Sequence, residues 1–169
     1  MPPPVQAAQG LFGINLAMLL AFMAWGVVAP RLQARGWTAS RLIARGMPVS
    51  LGVLALACGL GPDAGAAVLA LFCVSTTVVS LSQPAVGMAF AAHVAGRALS
   101  AYNLFIFAGV FALQWGIGLA IDLFRAAGWG GVSAYRGAFA LLLVCQMLAY
   151  LWFLLRAGRT RATLPQSAT

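Results

Sequence analysis

The side chains able to do acid–base or nucleophilic chemistry are few in this 169-residue chain, and they stand apart. There is no glutamate. The two aspartates, Asp63 and Asp122, lie in separate connections, and the single histidine, His93, has no carboxylate or nucleophile at site spacing. Cys58, Cys73 and Cys145 are scattered through apolar runs with no CxxC or Cys/His cluster, so neither a disulfide framework nor a metal site is expected. Neither glycine-rich phosphate cradle, GxxxxGK[ST] or GxGxxG, occurs. The expectation is a protein that is not an enzyme and carries no cofactor.

What remains are amides. Asn103 and Gln114 are eleven positions apart, which on a helix sets them within about 20° of each other, on one stripe with Phe107, Val110 and Gly118. Uncompensated amides facing lipid are costly, so the stripe reads either as the lining of a substrate cavity or as interhelical hydrogen bonding. On roughly the opposite side Ala108, Ala112, Gly116 and Ala120 recur every fourth residue, a seam of small residues along which another helix can approach closely. Gln83 is the third cavity candidate, because its neighbour Pro84 leaves a carbonyl without its donor and predicts a bend there. Ser75, Thr76, Thr77 and Ser80 precede it, and their hydroxyls are expected to bond to carbonyls one turn back. Asp122 and Arg125 are spaced for an ion pair on one helix face.

The elements that carry these residues are membrane spans. At 63% hydrophobic and 7% charged residues, with mean hydropathy +0.96, the chain lies outside soluble usage, in which about a quarter of residues are charged. Its net charge of +8 comes from ten arginines and no lysine. They sit in small groups between apolar runs rather than on a solvated face, so the expected partner is a lipid bilayer and not nucleic acid.

Five crossings are expected. The first runs from Leu11 to Pro30, about the ~20 residues a helix needs to traverse the hydrocarbon. The turn signal Gly61-Pro62-Asp63-Ala64-Gly65 divides the next long apolar run into spans over about 47–60 and 66–90, the shorter borrowing from Leu42-Ile43 while Arg45 snorkels. The last two cover about 101–121 and 137–155. Residues 1–10 precede the membrane domain of residues 11–155, and residues 156–169 read as a disordered tail. With no basic stretch before the first apolar run, that run is expected to stay in the protein rather than be cleaved as a signal peptide.

Arg31, Arg35, Arg41 and Arg45 lie between the first two spans, Arg97 before the fourth, and Arg156, Arg159 and Arg161 after the fifth; only Arg125 and Arg136 lie on the alternate side. The eight-arginine side belongs in the cytoplasm, with the amino terminus outside and the carboxyl terminus inside. The expected location is a bacterial inner membrane.

Two connections resemble the major facilitator superfamily. Gly26-Val27-Val28-Ala29-Pro30-Arg31, followed by Arg35-Gly36 and Arg41, is similar to that family's glycine- and arginine-rich cytoplasmic loop between spans eight and nine, with Pro30 where the family carries an acid. Gly96-Arg97-Ala98-Leu99-Ser100-Ala101-Tyr102-Asn103 is similar to the entry to span eleven. The resemblance implies an all-α integral membrane protein whose five transmembrane helices correspond to spans eight to twelve, part of the carboxyl-terminal six-helix bundle. Spans one, three and four would then line the pathway, three and four being the polar ones, while spans two and five would be peripheral.

It implies a secondary transporter moving a small solute by alternating access, with an amino-terminal half required as partner. Met1 would then be an internal methionine of a truncated, split or late-started gene. The alternative is a complete small accessory or assembly protein that uses the Ala108 to Ala120 seam to bind other helices and has no transport of its own.

Overall fold

Each apolar run folds as helix, and in four of the five crossings the helix runs further than the expected span. The computed structural model describes residues 4–162. Six α-helices cover Pro4–Ala34 (α1), Ala39–Leu60 (α2), Ala66–Thr76 (α3), Ser82–Met88 (α4), Ala92–Ala126 (α5) and Gly131–Ala162 (α6). A 3₁₀ turn, Gly61–Asp63, follows α2, and a second, Thr77–Leu81, links α3 to α4. Because α3, the second 3₁₀ turn and α4 form one crossing, five segments are long and apolar enough to cross a membrane: Ala8–Ala34, Ala39–Asp63, Ala66–Met88, Ala92–Ala126 and Gly131–Arg156. The chain is an all-helical integral membrane protein, without strand among the described residues.

The helices are centred near the expected spans, and all but the third crossing run past the expected ends. The first helix continues through Pro30 to Ala34 and stops at Gly36, whose φ of +80° is open to glycine. There the Trp37 amide donates to the Leu32 carbonyl at 3.0 Å and the Gly36 amide to Gln33 at 2.9 Å, a Schellman ending. The second helix starts at Ala39, capped by Thr38, so Arg41 and Arg45 lie on helix rather than loop. α5 begins at Ala92, placing the Gly96 to Asn103 entry within it, and α6 runs on to Ala162, past Leu155. Long arginine side chains can lift their charge toward the interface while the backbone stays helical, which is why charge alone misplaces these ends. Residues 163–169 of the tail lie outside the described residues.

α2 contacts the third span on one side and α6 on the other, and α5 closes the circuit by meeting α6 and α4; α1 packs against α3 and the second 3₁₀ turn. α2 is the most enclosed span within the chain, burying Leu42, Ser50, Val53, Leu54 and Ala57. Most other apolar side chains, such as Leu104, Phe105 and Phe111, remain exposed, as expected where the solvent is lipid.

Two side chains fasten α6 to α2. Pro48 has no amide to give to the Ala44 carbonyl one turn back, and the Tyr150 hydroxyl donates to that carbonyl at 2.7 Å. At the far end, Arg136 Nη2 donates at 3.3 Å to the Gly59 carbonyl, one of those a helix terminus leaves unpaired. Ala44 and Gly59 are about 22 Å apart along the helix, so the antiparallel pair is held at both ends. Between them, the buried Oε1 of Gln146, one turn before Tyr150, meets no donor.

Candidate functional site

The third span is the only crossing divided into two α-helices among the described residues, and its composition explains where it breaks. Ser75, Thr76 and Thr77 donate their hydroxyls to the carbonyls of Phe72, Cys73 and Val74, at 2.8, 2.7 and 2.6 Å, and Ser82 donates to Val79. Each of these bonds reaches three residues back, competing with the helical ladder and favouring a tighter turn. Pro84 then removes the amide that would bond to Ser80. The break therefore lies over Thr77–Leu81, ahead of Pro84, whereas the expected bend was at Pro84 itself; the proline sits in the first turn of α4, where its missing donor does least harm. The back-bonds expected of Ser75, Thr76 and Thr77 form; Ser80 makes no such bond, and its place is taken by Ser82.

Three neighbours hold this joint. Trp25 on α1 donates its Nε1–H to Thr77 Oγ1 at 3.1 Å. Gly46 on α2 admits Val78: a Cβ there would come within 2.9 Å of Val78 Cγ2. Tyr102 on α5 shares a hydrogen bond with Ser82. Val78 and Leu81 join Ala29 and Leu42 in a small buried cluster, so the joint is packed on its apolar side and hydrogen-bonded on its polar side.

Two grooves flank Trp25. One, about 480 Å³, is almost wholly apolar and runs between α1, α2 and α3 past Val28, Gly46, Val49 and Val74. The other, about 460 Å³, lies between α1 and the lower half of the third span and is lined by Gly26, Pro30, Gln33, Ser80, Gln83 and Pro84 among others. Pro30 and Pro84 each deprive the carbonyl one turn back, at Gly26 and Ser80, of its usual donor, and both prolines and both of those residues border this groove. The Ser80 carbonyl instead receives the Ser82 amide at the end of the 3₁₀ turn, and the polar side chains bordering the groove are Gln33, Ser80 and Gln83 within an otherwise mostly apolar lining.

Of the cavity candidates, only Gln83 borders this groove. Gln114 is exposed in the middle of α5 and Asn103 is half-buried, and neither lines the grooves described. Along the seam Ala120 is buried and Gly116 half-buried, while Ala108 and Ala112 are exposed. In the basic connection, Gly26 borders the groove, Gly36 makes the turn, and Arg41 Nη1 donates to the Gly36 carbonyl at 3.3 Å; Arg31, Arg35 and Arg97 are exposed. Asp122 and Arg125 do not form the expected ion pair. Arg125 lies instead 5.5 Å from the centre of the Tyr135 ring, across the α5–α6 hairpin. Trp25, Gln33 and Gly46 were not singled out from sequence, because what marks them is contact with a distant segment.

Among the described residues no group of three or more His, Cys, Asp and Glu side chains is placed to hold a metal ion. Compared with models of protein families, with curated proteins and with solved structures, the chain finds no match in any of the three.

Proposed function

We propose that the chain forms part of a secondary transporter for a small solute, of the major facilitator type, contributing five spans of one helical bundle. The observation that carries this reading is the broken third span. A 3₁₀ joint rich in hydroxyls and followed by a proline lies beside a groove bordered by Gln33, Ser80 and Gln83, and discontinuous helices of this kind are where transporters bind and rock. The arginine distribution supports an orientation with the Gly36 turn in the cytoplasm and the amino terminus outside, in a bacterial inner membrane.

Alternating access needs a second bundle, so the reading requires a partner half on the same or another polypeptide. The test is to co-express the chain with the reading frame immediately upstream of Met1 and follow uptake of labelled sugars, carboxylates and amines by cells. Uptake that needs both parts and is lost with Gln83→Leu supports the proposal. No uptake by any combination, together with a stable complex of the chain with some other membrane protein, would favour the accessory role instead.

A further inference from the structure

Two arginines of the first connection do more than mark a side of the membrane. Arg41 and Arg45, one turn apart on α2, line with Trp37 and Ala44 an open recess of about 580 Å³. Arg41 spends one donor on the Gly36 carbonyl, and Arg45 lies over the Trp37 ring, 4.4 Å from its centre. A guanidinium carries five N–H donors, so most of both sets remain free. The chain's acids stand elsewhere, Asp63 after the far end of α2 and Asp122 near the last turn of α5, and among the described residues no carboxylate meets either arginine. The recess is thus a cationic fork beside a half-buried indole, the residue type that settles at headgroup level.

Arg45 also borders the apolar groove that runs past Val28, Gly46, Val49 and Val74. Arg45 therefore stands between a polar recess that holds two guanidinium groups and an apolar groove between α1, α2 and α3, and borders both. That combination is the shape and chemistry of one amphiphile: an anionic head and a hydrocarbon chain.

We propose that this composite site binds an anionic phospholipid from the surrounding leaflet, its phosphate held by Arg41 and Arg45 and one acyl chain lying in the groove beside Val49. The apolar groove of this site and the Gln83 groove share only Trp25, and the test uses no transport readout, so the proposal stands or falls separately from the transporter reading.

The purified chain in mild detergent is titrated with dioleoylphosphatidylglycerol or dioleoylphosphatidylcholine, which share acyl chains, and binding is read by native mass spectrometry and by thermal unfolding. Phosphatidylglycerol is expected to be retained and to raise the unfolding temperature, while phosphatidylcholine is not. Arg45→Gln should weaken retention about tenfold, Arg45→Lys less, because it keeps the charge and loses the fork. Val49→Trp, which fills the groove and leaves the charge intact, should weaken retention as well. Arg125→Gln, at the opposite end, should change nothing. Equal binding of the two lipids, an equal stabilisation by inorganic phosphate alone, or a loss with Arg125→Gln as large as with Arg45→Gln would overturn the proposal.

Discussion

Trp25 Nε1–H and Thr77 Oγ1 meet at 3.1 Å across 52 residues of sequence, and the Thr77 hydroxyl in turn donates a hydrogen bond to the Val74 carbonyl at 2.6 Å. One threonine thus ties α1 to the third span while loosening the helix that contains it. Thr77→Val keeps the shape and removes both bonds, and should cost about 1 kcal/mol in detergent unfolding. Trp25→Phe should cost a similar amount beyond its lost packing, and the double variant should fall short of the sum, the signature of a shared bond. Strict additivity would mean that the bond contributes nothing.

Tyr150 and Pro48 form a second such dependency. Tyr150→Phe leaves the Ala44 carbonyl with no donor, a loss of about 1–3 kcal/mol. Pro48→Ala restores the backbone amide, so Tyr150→Phe should be far milder in a Pro48→Ala background. Unfolding of the four proteins in detergent checks this; the same penalty in both backgrounds would contradict it.

Gly46 is predicted to tolerate no larger residue. With Val78 within 2.9 Å of a would-be Cβ, Gly46→Leu should destabilise by about 1–3 kcal/mol. Val78→Ala should recover part of the loss. Thermal unfolding of the single and double variants measures both effects.

Gln146 offers a test of opposite sign. Its buried Oε1 has no donor, so Gln146→Met, of similar length and without the orphan acceptor, should leave stability unchanged or raise it by about 1 kcal/mol. A marked loss would show that the amide has a partner in the folded protein.

The two cavity readings on α5 and α4 separate by cysteine labelling. With Cys58, Cys73 and Cys145 replaced by alanine, Gln83→Cys should react quickly with a membrane-impermeant maleimide from the side of the Gly36 turn. Gln114→Cys should react only if the assembled transporter places α5 against water; in the isolated chain, where Gln114 is exposed among Phe111, Leu113 and Trp115, lipid should shield it.

The crossings themselves were readable because hydropathy and the Gly61 turn act locally, and each of the five centres fell where apolar length required. The joint was not readable. Its hydroxyls were visible in sequence, but whether they bend a helix depends on Trp25, Gly46 and Tyr102 arriving from other spans to hold the tighter turn. The same holds for Asp122 and Arg125: their spacing allows a pair, yet the hairpin brings Tyr135 under Arg125 and the aromatic face wins. Asn103 and Gln114 were correctly put on one helix, but helical phase alone says nothing of what stands opposite, and α5 presents its middle to the outside.

The fastening of α6 onto α2 bears on how the chain is made. The second helix is synthesised before α6, and both donors to its Gly59 and Ala44 carbonyls, Arg136 and Tyr150, arrive only with α6. A ribosome product cut short before Arg136 therefore carries a complete α2 packed on the third span, with neither of its two fastenings to α6 made.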